Sequence, residues 1–198
     1  MTVGVQRAYL HDMSSLDLSR EAAYDLVLEK IGRNNLLKHI LAVEAAMRRL
    51  ARHLGEDEEY WGLTGLLHDL DYNETKDNPD RHAFMACEWL GEYQLPDNML
   101  HAIQSHPGHL PCESRLDWAL YAVDPATGFV VACALMHPDK SLAAIDEAFM
   151  LRRFDEKRFA AGATRENMDA CTNLGLERGE FLMLVREGMI EIREDLGL

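Results

Sequence analysis

The chain has 198 residues, 47% of them hydrophobic, and a formal net charge of −14. That is enough apolar material for one domain with its own core, and the acidic balance argues against a broad nucleic-acid or anionic-membrane surface. It leaves room for a small phosphorylated substrate, because bound cations reverse the sign of the field inside one pocket.

Further exclusions follow from the order of residues. No segment approaches the roughly 18 consecutive apolar residues of a membrane span. Met1 to His11 shows no basic stretch followed by an apolar block, so no secretion signal is expected. Cys87, Cys112, Cys133 and Cys171 are scattered, with no CxxC pair. They read as reduced thiols, and cytoplasmic localisation is the expectation. Strand signals are poor: only Gly128 to Cys133 has strand-like composition, inside a longer helical pattern. Helical periodicity prevails, and the fold class expected is all-α.

In chain order, Ser19 caps a first helix that ends at Gly32. A second runs from about Asn34 to Leu54, with Leu36, Ile40, Val43, Met47 and Leu50 as its apolar stripe. His39 flanks that stripe; taken alone it reads first as a core histidine bonded to a carbonyl. His53, at the helix end, reads as a solvated cation. A third helix, about Glu58 to Leu70, delivers His68-Asp69 from an apolar run. Adjacent side chains on a helix point about 100° apart, so both reach one ion from its flanks. Imidazole with carboxylate suits iron, manganese or zinc better than magnesium alone.

The polar stretch Asp71 to Asn78 reads as a loop. Pro79 or Asp80 then opens a fourth helix, whose face is His82, Met85, Ala86 and Trp89. His82 reads either as a pocket-mouth residue or as an ordinary boundary histidine. In a fifth helix His106 extends the face of Leu100 and Ile103, and Pro107-Gly108 stops it. His101 falls on another face and is expected in solvent. Ser114 caps a sixth helix that reaches Asp124, just before Pro125. A carboxylate in that apolar setting is costly unless paired or metal-bound, although Asp124 also reads as the cap of a separate helix over residues 126–136.

Beyond His137-Pro138 basic residues enter. Thr164 caps a short helix to Leu174, and a last helix runs from about Glu177 to Leu196. Lys76 and Arg81 from the mouth loop, with Lys157 and Arg165, are candidates to bind substrate phosphate, and Arg suits bidentate contacts. The alternative for these residues is surface ion pairing. His109 and Asp71 are the candidates for a leaving-group acid.

His39, His68-Asp69, His82, His106 and Asp124 each come from a different helix or helix end, as in metal sites built inside helical bundles. In this order they resemble the HD-domain superfamily of metal-dependent phosphohydrolases. The likeness is carried by Lys38-His39-Ile40-Leu41-Ala42-Val43-Glu44, Gly65-Leu66-Leu67-His68-Asp69-Leu70-Asp71 and Ala119 to Asp124, and is nearest to small stand-alone HDIG-type proteins. It implies an HD-domain helical bundle over about residues 34–137, with additional C-terminal helices over 138–198 in a single domain. It implies that His39, His68, Asp69 and Asp124 bind one metal, and that Asp69 bridges to a second held by His82 and His106. His68 and Asp69 would then be catalytic. The implied cofactors are one or two divalent ions, iron or manganese first, with zinc, magnesium or nickel as alternatives.

The expected reaction is hydrolysis of a phosphoester or phosphoanhydride in a small, nucleotide-like substrate. A di-iron oxygenase of the same superfamily and a non-catalytic metal- or nucleotide-binding module are the alternatives. Nucleic-acid and membrane partners are not expected, and a homodimer is compatible with the sequence. Pro107 after His106, and the lack of a Gly-Tyr-Pro signature, depart from the cyclic-dinucleotide branch.

Overall fold

A computed structural model describes residues 18–198, so the reading of residues 1–11 lies outside the described residues. Those described are helical, with no strand among them. Helix α1 (Arg20–Ile31) starts at Ser19, whose hydroxyl accepts from the Ala22 amide. Helix α2 (Asn35–Leu54) starts at Asn34, whose side-chain oxygen accepts from the Leu36 and Leu37 amides, and stops at left-handed Gly55. Then come α3 (Glu58–Leu67), α4 (Tyr72–Thr75), α5 (Phe84–Leu90), α6 (Asp97–Ser105) and α7 (Arg115–Met136). The C-terminal part holds α8 (Glu147–Phe154), α9 (Arg165–Asp169), α10 (Arg178–Glu191) and α11 (Arg193–Leu196).

Helix α2 sits at the centre, packed on α3, α7 and α10. Two glycines set the approach. A Cβ on Gly65 of α3 would stand 3.1 Å from the Glu44 Cα and 3.1 Å from the Met47 side chain. A Cβ on Gly188 of α10 would stand 2.5 Å from the Ala45 carbonyl oxygen. The first contact brings the end of α3, and with it His68-Asp69, onto α2 beside His39. Buried Glu44 accepts both Arg20 and Arg48 and ties α1 to α2.

Several boundaries differ from expectation. Helix α7 does not break at Pro125. The proline has no N–H to offer the Tyr121 carbonyl, yet Leu120, Val123, Ala126, Phe129, Val130 and Cys133 are all buried on both sides of it. Burial of that face outweighs the lost bond, and Asp124 lies inside one 22-residue helix instead of capping a second. By length and composition this helix is apolar enough to cross a membrane, against the expectation that no segment comes near; here it is the helix around which α6, α9 and α10 gather. The stretch read as a loop contains α4. Pro79 opens only a 3-10 turn, Pro79–Arg81, and α5 begins at Phe84 after Ala83 at φ 68°. Thr164 makes no side-chain cap bond, and a 3-10 turn, Ala170–Leu174, follows α9. His101 is half-buried, 3.1 Å from the capping-box carboxylate of Asp117, rather than free in solvent. The four cysteines are free thiols.

Candidate metal centre

Six side chains meet at one end of the α2–α3–α7 contact. His39 comes from the first half of α2. His68 is the residue that closes α3, and Asp69 follows in the turn beyond it. His82 stands between the 3-10 turn and α5, His106 closes α6, and Asp124 comes from the middle of α7. The ring centroids of His39 and His68 are 5.4 Å apart, those of His68 and His106 5.0 Å, and those of His82 and His106 5.1 Å.

The outer nitrogen of each ring is fixed first. His68 Nδ1 lies 2.8 Å from the Gly65 carbonyl and His106 Nδ1 lies 2.6 Å from the Ile103 carbonyl. A carbonyl only accepts, so both Nδ1 atoms carry protons. The Thr127 hydroxyl donates to the Asp124 carbonyl at 2.9 Å, so toward His39 Nδ1, at 3.2 Å, it is an acceptor. His82 Nδ1 donates to Asp71 Oδ1 at 2.8 Å, and the other oxygen of that fully buried carboxylate accepts the Ala86 amide at 3.0 Å. In its neutral form each ring would therefore turn a bare Nε2 inward, the arrangement in which imidazole binds a metal.

Those Nε2 atoms face carboxylate oxygens. His39 Nε2 is 3.0 Å from Asp124 Oδ1 and 3.6 Å from Asp69 Oδ2. His68 Nε2 is 3.4 Å from Asp69 Oδ2 and 3.9 Å from Asp124 Oδ1. On the other side, His82 and His106 Nε2 lie 3.2 and 3.5 Å from Asp69 Oδ1. Lone pairs facing carboxylates at these distances repel unless a cation stands between them. Two donors on one ion at roughly 2.0–2.1 Å each are at most about 4.2 Å apart, so the spacing suits a shared ion. His68 Nε2 is buried without a hydrogen-bond partner, the mark of a group that needs one more neighbour. Two sets of donors lie within 4.8 Å of one another and could hold an ion: His39, His68 and Asp124, and His68, Asp69 and His106. The two oxygens of Asp69 face different halves of the cluster.

Without a metal the cluster holds protons. Burial alone would lower the His68 pKa, but Asp69 and Asp124 raise it. Burial likewise opposes protonation of His82, and its contacts with Asp69 and Asp71 override this and push it up to about 9. Burial works to raise the carboxyl pKa of Asp69 and Asp124, and the imidazoles around them hold both below the usual carboxylate range, Asp69 well below. A cavity of about 400 Å³ opens over the cluster, walled also by Leu36, Tyr72 and Pro107.

The remaining candidates separate. Lys76 is exposed at the end of α4, the short helix that contributes Tyr72 to the cavity wall. Arg81 is exposed and directs one guanidinium nitrogen to Glu88. Lys157 is exposed in the turn after α8 and does not line the cavity. Arg165 does not either. Four of its five N–H bonds go to the carbonyls of Phe154, Phe159, Ala160 and Ala163, and its guanidinium lies 4.8 Å from the Phe129 ring centre. It holds the 154–163 segment to α9. Asp71, engaged through both oxygens, is no free acid. His109 stacks on Phe84 and donates to the Pro79 carbonyl at 3.1 Å. The sequence reading did not single out Thr127, whose signal is its place one helical turn after Asp124, nor assign Asp71 its part in holding His82.

Comparison with known proteins places this geometry. Ribonuclease Y of Sulfurovum sp. (strain NBC37-1) is 25% identical over 190 residues, covering 90% of this chain and 37% of its own length. Ribonuclease Y of a Nitratiruptor species is 28% identical over 165 residues, 76% of this chain and 31% of the relative. That of Lactobacillus acidophilus is 31% identical over 90 residues, 46% and 17% respectively. The chain thus spans about a third or less of these relatives and no solved structure gives a significant match. The model of the HD domain matches residues 36–137, more than half of the chain and the whole of the six-residue cluster, and this chain belongs to the HD-domain family, within a superfamily of metal-dependent phosphohydrolases.

Proposed function

We propose that this chain is a divalent-metal-dependent phosphohydrolase that cleaves a phosphoester or phosphoanhydride of a small, nucleotide-like substrate. The reading rests on one observation above the rest: the two oxygens of Asp69 face opposite pairs of inward imidazole nitrogens, and each of those rings is held by its other nitrogen. Divalent ions held there supply Lewis-acid chemistry, lowering the pKa of a water and neutralising charge that develops on phosphoryl oxygens. The chain's own part is to arrange the donors. Gly65, Ile103, Thr127 and Asp71 fix four ring orientations before any ion arrives, so little is reorganised on binding. Tyr72 and Pro107 form part of the cavity wall. Lys76, exposed at the end of the short helix that carries Tyr72, is the cation we assign to the substrate phosphate.

A second reading, cleavage of an RNA phosphodiester, is favoured by relatives named Ribonuclease Y that align over as much as 90% of the chain. The charge of −14 favours the small substrate. Turnover of nucleoside mono-, di- and triphosphates, dinucleoside polyphosphates and short single-stranded RNA, each with manganese or ferrous iron and with and without dioxygen, separates the readings. Phosphate release from a small nucleotide, abolished by a chelator and indifferent to dioxygen, is the expected result. Cleavage of RNA alone selects the second reading. Turnover only with dioxygen, or no product from any substrate, contradicts both.

A further inference from the structure

Helix α7 leaves one face uncovered. Ala126, Phe129, Val130 and Cys133 are buried on its inner side, whereas Gly128, Leu135 and Met136 are exposed, with Val131 and Ala132 half-buried between them. Gly128 and Leu135 are seven residues apart, about two turns, so both stand on the middle line of the open face, about 10 Å from each other. From Ala126 to Met136 no side chain is charged. Leu135 and Met136, 53% and 58% exposed, are two of the three large hydrophobic side chains exposed among the described residues. A contiguous apolar face of this kind marks an interaction surface.

The face carries both a projection and a recess. Leu135 and Met136 project. At Gly128 nothing lies within 4 Å of where a Cβ would stand, and its φ is not positive, so no turn requires glycine. Gly128 borders a cavity of about 470 Å³ between α2 and α7, whose apolar walls include Ala42, Val131, Leu196 and Leu198. A twofold axis between Val131 and Ala132 lies midway between projection and recess. It lays a second α7 antiparallel on the first and sets the Leu135 of each copy over the Gly128 of the other. That is an isologous contact, in which one patch meets itself and the assembly closes as a dimer.

Charge selects the occupant. At −14 per chain, two copies repel over most of their surfaces, and an uncharged face lets them meet without opposing carboxylates. The same charge opposes an anionic membrane. We infer that this face of α7 joins two copies of the chain as an antiparallel α7–α7 dimer, with the Leu135 of each copy seated at the Gly128 of the other. The inference is independent of the reaction proposed above.

The test is sedimentation velocity of the full chain over a concentration series, in which a species of twice the chain mass is expected. Leu135→Asp removes the projection and Gly128→Leu fills the recess, both at exposed positions. Each is expected to weaken self-association by about tenfold or more, with helicity and metal content as in the parent. Gly91→Leu, whose side chain also enters open space but lies outside α7, should leave the dimer intact. If Gly128→Leu does not fold, Leu135→Asp decides the matter. A parent that is monomeric throughout the series overturns the inference, and so does a dimer undiminished by Leu135→Asp. A monomer that retains a small molecule in native mass spectrometry, or that floats with phosphatidylcholine vesicles, also overturns it, because the face then has another occupant.

Discussion

Asp71 and Thr127 touch no substrate in this scheme, yet each decides where an imidazole points. Asp71→Asn leaves one oxygen for two donors, the His82 ring and the Ala86 amide, so one bond is lost. Such supporting partners are typically worth 10–100-fold in metal affinity. We expect Asp71→Asn to weaken the ion on the His82 side by about tenfold or more, and Thr127→Val to weaken the ion nearer His39 similarly. Both are measured by titration with manganese, with helicity by circular dichroism unchanged. The pH dependence has a definite sign. In the metal-free protein the folded pKa of His82 is raised from 6.5 to about 9. Its stabilising contribution is complete below pH 6.5 and is lost as pH rises through about 9. The metal-free chain should therefore become less stable to urea from pH 6.5 to 9, while metal affinity rises over the same range because His82 no longer needs to release a proton. Metal-free stability that climbs across that interval would contradict this assignment. At this scale the sequence was legible where a donor type is scarce: histidines on apolar faces and an aspartate before a proline. It passed over Thr127, whose one signal, a place one helical turn after Asp124, gains meaning only when the His39 ring beside it is placed. Arg165 was misleading for a related reason, since guanidinium suits carbonyl oxygens as well as phosphate.

Two close approaches set the packing on α2, and the one at Gly65 also carries donors to the site. A methyl added at Gly188 would enter backbone atoms of α2 that cannot give way, whereas at Gly65 the shortfall is a few tenths of an ångström against Glu44 and the flexible Met47. Overpacking costs about 1–3 kcal/mol, so Gly188→Ala should lie toward the upper end of that range and Gly65→Ala toward the lower. Thermal melts in the metal-free state measure the order. Gly65→Ala should also weaken metal binding, because the carbonyl of residue 65 holds the His68 ring; Gly188→Ala should not. Helix starts at Ser19 and Asn34 were legible, since caps are local chemistry. The continuity of α7 through Pro125 and the late start of α5 were not. In both, burial overrode a local rule: the α7 face is sealed on either side of the proline, and Ala83, fully buried, is held at a positive φ that alanine disfavours. That strained residue directly follows His82.

Across the whole molecule, charge and chemistry are divided. The chain is strongly acidic, while its basic residues are mostly committed within it: Arg20 and Arg48 to Glu44, Arg178 to Asp169, Arg186 to the Leu142 and Ala143 carbonyls. Lys38 gives one bond to the Leu196 carbonyl, and Lys76 is exposed at the end of α4. The all-α class and the convergence of six distant side chains could be read from periodicity and from the resemblance to HD-domain proteins. The cavity between α2 and α7 could not, because it exists only once those helices are packed. The most direct test is the metal content of the purified full chain, by mass spectrometry, beside Asp69→Ala and His68→Ala. Two divalent ions per chain in the parent are expected, with at least one lost in each variant although both stay folded. A parent without bound divalent metal after reconstitution, or an Asp69→Ala protein that keeps its full complement, would contradict the shared-carboxylate centre.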